Sequence, residues 1–460
     1  MKKKLVLLVG LIALVLLAGC SGGGNGKKDT IVVWTQASAD TPEGKMFADR
    51  VAKYNELHPD KPKVEIQNIT RAGAGSGYID KLNAAITAGD MPDIFTLDGP
   101  DVAAYADAGV IGEVGSYLSE GFAEGFTASI LEQGTVDGKL YALGYSDSAV
   151  VVMYNEDMIN ALPDDIKAKI PAPDEDWTWD ELLELARDID QYASESNDPA
   201  FEKYAVALST LLTDVASGVY ETGTYYFTPL VWSNGSNIVA DDGLTVDGVL
   251  NGPETLEAMT KYARLFAGDR PLASAAEPEK AFHSGQAAMA VAGFWYVNEL
   301  TGNYPDLKFR SLRYPKMNGE FDGLYTPSGS WAFVRSANIP EERIPQVVEV
   351  MEWLTNDEAS REYFTKNGSI PTRINAIDVI DTNTDNPYFN EAWKVMQYQV
   401  QHTNKARPVS VGYPYLSETF AKDVLLKIAQ NKTTDEATIQ TYLNDAVKKI
   451  DQEFAKYKKG

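Results

Sequence analysis

Ile31-Val32-Val33-Trp34, Val64-Glu65-Ile66-Gln67-Asn68-Ile69 and Pro92-Asp93-Ile94-Phe95-Thr96-Leu97 decide the fold class of this chain. The first is a short apolar run, the second alternates and the third is again apolar, so all three read as strands. Thr41-Pro42 opens a helix between the first two. Threonine suits the N-cap and proline the first turn, Phe47, Val51 and Tyr54 recur at helical spacing, and Pro59 stops the run. Before the third strand, Ile79, Leu82 and Ile86 mark another helical face, which Gly89 closes. Strand, helix, strand, helix, strand predicts an α/β fold: a parallel sheet with helices on its faces, where ligands bind beyond the carboxyl ends of the strands.

Outward from this segment, Ala149-Val150-Val151-Val152-Met153-Tyr154 is a β-branched run suited to a strand buried on both faces. Thr178-Trp179-Asp180-Glu181 and Thr433-Thr434-Asp435-Glu436 have capping-box spacing, and the second opens a long amphipathic helix through Ile439, Leu443, Val447, Ile450 and Phe454. No repeat or polar spacer divides the chain after Asp29, so its 460 residues predict two or three domains joined by short crossings. The chain is 44% hydrophobic and 23% charged, an ordinary globular composition. With 41 Lys and Arg against 66 Asp and Glu, the net charge of −25 repels phosphate backbones and argues against a nucleic-acid partner. One cysteine forms no internal disulfide, and three histidines offer little for a metal or proton-transfer site.

At the N-terminus, Met1-Lys2-Lys3-Lys4 precedes an apolar run from Leu5 to Ala18, the order of a secretory signal and too short to span a membrane comfortably. The run ends in Leu17-Ala18-Gly19-Cys20, which resembles the bacterial lipobox. That resemblance implies cleavage after residue 19 and lipidation of Cys20, the chain's single cysteine, so that acyl chains anchor the protein to the membrane. Residues 20–29, glycine-rich after the cysteine, read as a flexible tether.

Several segments in order resemble the extracellular solute-binding proteins of ATP-driven (ABC) importers, in the branch that binds sugars. Tyr78-Ile79-Asp80-Lys81-Leu82 leads through Ala88-Gly89-Asp90 to Met91-Pro92-Asp93-Ile94; Val136-Asp137-Gly138-Lys139-Leu140-Tyr141 is followed by Met153-Tyr154-Asn155-Glu156-Asp157. Ala281-Phe282-His283-Ser284-Gly285-Gln286 stands before Gly293-Phe294-Trp295, and Trp331-Ala332-Phe333-Val334 before Val350-Met351-Glu352-Trp353-Leu354 and Gly368-Ser369-Ile370-Pro371-Thr372-Arg373. Gly144 departs from the pattern, standing where the family usually has proline. The resemblance implies a two-lobed, periplasmic-binding-protein-like α/β fold whose hinge closes an interlobe cleft on the ligand. It places residues 30–146 and 317–367 in lobe 1 and residues 147–316 and 368–460 in lobe 2, with crossings near Gly144–Ser148, Leu312–Lys316 and Lys366–Ile370. The implied activity is binding without chemistry or cofactor, by a monomer outside the cytoplasm that passes a sugar or oligosaccharide to ABC-transporter permease subunits.

A sugar offers apolar C–H faces and a rim of hydroxyls, so its site needs flat aromatic rings and planar polar groups. With 8 Trp and 24 Tyr, position must choose among the aromatics. The resemblance places Trp295 at the cleft as a stacking ring, with Trp232 and Tyr226 where the second lobe presents another aromatic and Trp331 lining the first lobe. Asp98 and Gln36 follow strands, where the sheet rule puts ligand contacts; Asp147 at the first crossing and Arg373 after Ile370-Pro371 complete the candidates. Two other segments tempt. The glycine-rich Arg71–Gly77 lacks the lysine and hydroxyl of a phosphate loop, and the calcium-loop-like start at Asp381 meets Ala392 at its twelfth position, so no metal is expected. The alternatives are a secreted glycoside hydrolase with paired carboxylates, or a receptor of the same fold for a polyamine or ferric ion.

Overall fold

The computed structural model describes residues 30–70, 77–210, 212–276, 281–317, 323, 325–377, 380 and 385–458. The signal, Cys20 and its tether, most of the glycine-rich segment and the start of the calcium-like segment lie outside the described residues.

The opening segment folds as its pattern demands. Strands β1 (Thr30–Thr35), β2 (Lys63–Asn68) and β3 (Ile94–Asp98) alternate with helices α1 (Pro42–Leu57) and α2 (Tyr78–Ala88), and β1 lies parallel to both neighbours. The Thr41 hydroxyl accepts from the Gly44 amide to cap α1, and Gly89 ends α2 in the left-handed region. Three later strands complete this sheet: β4 (Ile111–Gly112), β5 (Ala142–Ser146) and β11 (Trp331–Ser336), the last running antiparallel to β3, β4 and β5. Its faces carry separate cores. Ile31, Val33, Ile94 and Phe333 pack with Phe47 of α1 on one, while Phe95, Leu97 and Val334 pack with Leu82 of α2 on the other.

A second sheet is built from β6 (Val150–Asn155), β7 (Val206–Ser209), β8 (Ala287–Gly293) and β9 (Phe309–Leu312) in the order β9-β6-β8-β7. Val150 and Val152 face one core, Val151 and Met153 the other, as a strand buried on both sides requires. Around it stand α3 (Trp179–Glu195), α4 (Tyr220–Trp232), α5 (Phe294–Asn303), α8 (Pro387–His402), α9 (Tyr413–Phe420) and α10 (Glu436–Phe454). The capping box at Thr178 and Glu181 forms in both directions, but α10 is capped by Asp435, whose carboxylate accepts from the Thr438 amide. The acidic side chain one residue before the helix outcompetes the hydroxyls at Thr433 and Thr434.

Two lobes result, and the chain passes between them repeatedly. It leaves the first sheet after Ser146 and enters the second at Val150. Tyr314 and Met317 still pack in the second lobe's core; the chain then runs through β10 (Thr326–Pro327), paired with β12 (Asn404–Lys405), and joins the first sheet at Trp331. Helices α6 (Ile344–Thr355) and α7 (Asp357–Asn367) cover the first lobe before Ile370 bridges to Asp147 and Arg373 to Phe126. Among the described residues no helix is long and apolar enough to cross a membrane.

Candidate functional site

A cleft of about 650 Å³ opens between the lobes. Its first-lobe wall is the carboxyl end of the first sheet, where the register sets Trp331 directly opposite Asp98 on β3 and Ser146 on β5. Gln36 lies one residue beyond β1; its amide donates to Glu43 and to the Tyr145 hydroxyl, both at 3.4 Å, and that hydroxyl donates to Glu43 at 3.0 Å.

The second-lobe wall is aromatic. Trp295, in the first turn of α5, is 49% exposed, and its ring centre lies 5.7 Å from that of Tyr225 and 6.2 Å from that of Tyr226, both on α4. Any β-carbon on Gly293 would run into the indole, so the glycine lets the ring fold back over the end of β8. Tyr225 donates from its hydroxyl to the Pro327 carbonyl at 3.1 Å. Burial pushes both phenols above their ordinary value, so both stay neutral.

Between these walls lies Arg407, whose guanidinium ties the lobes together. It pairs with Asp98 on the first lobe and, at 2.9 Å, with Glu221 in the first turn of α4 on the second. Glu221 also accepts from the Tyr413 hydroxyl at 2.9 Å and from the Ser417 hydroxyl, both on α9. Burial lifts the Glu221 carboxyl above its ordinary value, against the downward pull of Arg407.

Gln36, Asp98, Asp147, Tyr226, Trp295 and Trp331 therefore line one cleft, whereas Trp232 and Arg373 stand apart from it. Trp232 is on the same face of α4 as Tyr225 but two turns deeper; it is 1% exposed, and its indole N–H donates to Asn237. Arg373 is buried between the rings of Phe122 and Phe126 and pairs with Asp357 at 2.8 Å. Asp147 reaches the cleft, yet its carboxylate serves the hinge. It accepts from the Ser148 amide at 2.7 Å, the Ser328 hydroxyl at 2.7 Å, the Gly329 amide at 3.2 Å and the Asn404 amide at 3.2 Å, while its own backbone N–H donates to Ile370. The segments around Ser148, Ser328, Ile370 and Asn404 therefore meet at this one residue.

The sequence reading did not single out Glu43, Glu221, Tyr225 or Arg407. Tyr225 adjoins a named candidate, Tyr226, and that adjacency is the one signal that points to it. Arg407, by contrast, sits in Lys405-Ala406-Arg407-Pro408, where no periodicity or motif marks it. Among the described residues no group of three or more His, Cys, Asp or Glu side chains is arranged to hold a metal ion.

Two α/β lobes about a ring-lined cleft are the architecture of a solute receptor. Residues 49–391 match the bacterial extracellular solute-binding proteins, and the chain belongs to that family. It is 24% identical over 340 residues to the maltotriose-binding protein of Pyrococcus abyssi, a match covering 70% of this chain and 65% of that one, just under two thirds of the relative's length. Its fold superposes with a TM-score of 0.73 on the cyclic alpha-maltosyl-1,6-maltose binding protein of Arthrobacter globiformis, at 19% identity over 92% of this chain and 98% of that one. UgpB of Mycobacterium tuberculosis, solved in complex with glycerophosphocholine, superposes with a TM-score of 0.70 at 20% identity over 94% and 99%.

Proposed function

We propose that this protein captures a sugar or oligosaccharide between its lobes and delivers it unaltered to the permease subunits of an ABC transporter. Trp295 stacks on the sugar face, Tyr226 backs it, and Asp98, Gln36 and Trp331 meet the ligand from the first lobe, with Asp147 holding the hinge. A lipid on Cys20 keeps the protein, a monomer, at the outer face of the bacterial cell membrane.

The observation that carries this reading is the exposed indole of Trp295, backed by two tyrosines and facing the row Asp98–Trp331–Ser146 across the cleft. A large apolar ring held half in water against further rings suits a ligand with an apolar face and a polar rim. The relatives named for maltotriose and a cyclic maltosyl-maltose support the same class.

Calorimetric titration of the solubilised protein with mono- and oligosaccharides tests it. Trp295→Ala should weaken the saccharide that binds by about 1–3 kcal/mol without changing the melting temperature of the free protein. Unchanged affinity removes Trp295 from the site, and shortened products in the recovered ligand point to a glycoside hydrolase instead.

A further inference from the structure

The charge of the cleft narrows the class of saccharide, an inference that rests on the sugar reading above. Glu43, Asp98, Asp147, Asp214 and Glu221 line the cleft, and among the described lining residues Arg407 is the one cation. A guanidinium has five N–H donors, and every one on Arg407 has a protein acceptor. Nε donates to the Ser328 carbonyl at 3.1 Å, Nη1 to Asp98 at 3.2 Å and Glu221 at 2.9 Å, and Nη2 to Asp98 and, at 3.5 Å, the Ser330 carbonyl.

A carboxylate or phosphate on a ligand would enter a field of its own sign and find the cation already saturated. Desolvating an anion without a partner is costly. An uncharged hydroxyl meets acceptors to which it can donate, and an ammonium gains both from the field and from the exposed indole. We propose that this cleft selects uncharged or amine-bearing saccharides and rejects those carrying uronate or phosphate groups.

The test titrates the full chain, solubilised in a non-ionic detergent, with maltotriose and diacetylchitobiose. Each is compared with derivatives in which one primary hydroxyl is replaced by a carboxylate or an amine. The carboxylate derivative should bind at least about tenfold more weakly than its parent at low salt, with the gap shrinking as salt is added, while the amine derivative binds no more weakly than its parent. A carboxylate derivative that binds as well as its parent overturns the inference and leaves the sugar reading standing. Binding of spermidine with no saccharide bound overturns the sugar reading and leaves the rejection of anions intact. Binding of glycerol phosphate overturns that rejection whatever the saccharides do.

Discussion

Gly293 shows how one missing methyl group positions a binding ring. Its φ of −84° suits any residue, so the need for glycine is steric: the indole of Trp295 occupies the space a β-carbon would fill. Gly293→Ala should push the ring off Tyr225 and Tyr226 and lower saccharide affinity roughly tenfold by calorimetry, with little loss of stability. Arg373 makes the opposite case. It lies outside the cleft, and burial would lift the carboxyl of its partner Asp357, but hydrogen bonds from Arg373 and Asn375 hold it below the ordinary value of 3.8. Arg373→Met should destabilise the protein by about 1–3 kcal/mol in denaturant unfolding while leaving ligand affinity unchanged. Because a depressed carboxyl stabilises the fold above its unfolded value, the gap between wild type and variant should be widest above pH 3.8 and narrow as pH falls through the native value.

At the scale of elements, the hinge and α4 matter most. Asp147 collects donors from three strand passages, and burial raises its carboxyl above 3.8 despite the hydrogen bonds from Ser328, Ser148, Gly329 and Asn404 that pull it down. Charging it therefore costs the folded state stability as pH rises from 3.8 to the raised native value, and the cost is complete above that value. Asp147→Asn carries no such charge, so its stability relative to wild type should rise across that window in unfolding titrations; a flat difference would show that the hinge carboxyl titrates normally. In α4 the limit of reading residues one by one is plain. The run Tyr225–Trp232 is aromatic or aliphatic at every position but Thr228, and Tyr225 and Trp232 share a face, so residue type alone gave no depth along the axis. The turns nearest the cleft present Glu221, Tyr225 and Tyr226, and Trp232 lies in packing beyond them.

Across the whole molecule, the first lobe was legible because β1 to β3 and α1 to α2 carry their periodicity and caps locally. Asp98 was legible because it ends a strand whose carboxyl end faces the cleft, and Trp295 only through the resemblance carried by Gly293-Phe294-Trp295. Arg407 was not, because its role depends on Asp98 and Glu221, far away in the chain and brought to it only by the packing of two lobes. In the proposed function those lobes hold an intact saccharide between the indole of Trp295 and the Asp98–Trp331 row. A crystal structure of the protein grown with the saccharide it binds most tightly tests this directly. The expected result is one unbroken ligand in the cleft, a sugar face against Trp295 and hydroxyls toward Asp98; a ligand seated elsewhere, or one found with its glycosidic bond cut, would contradict the proposed function.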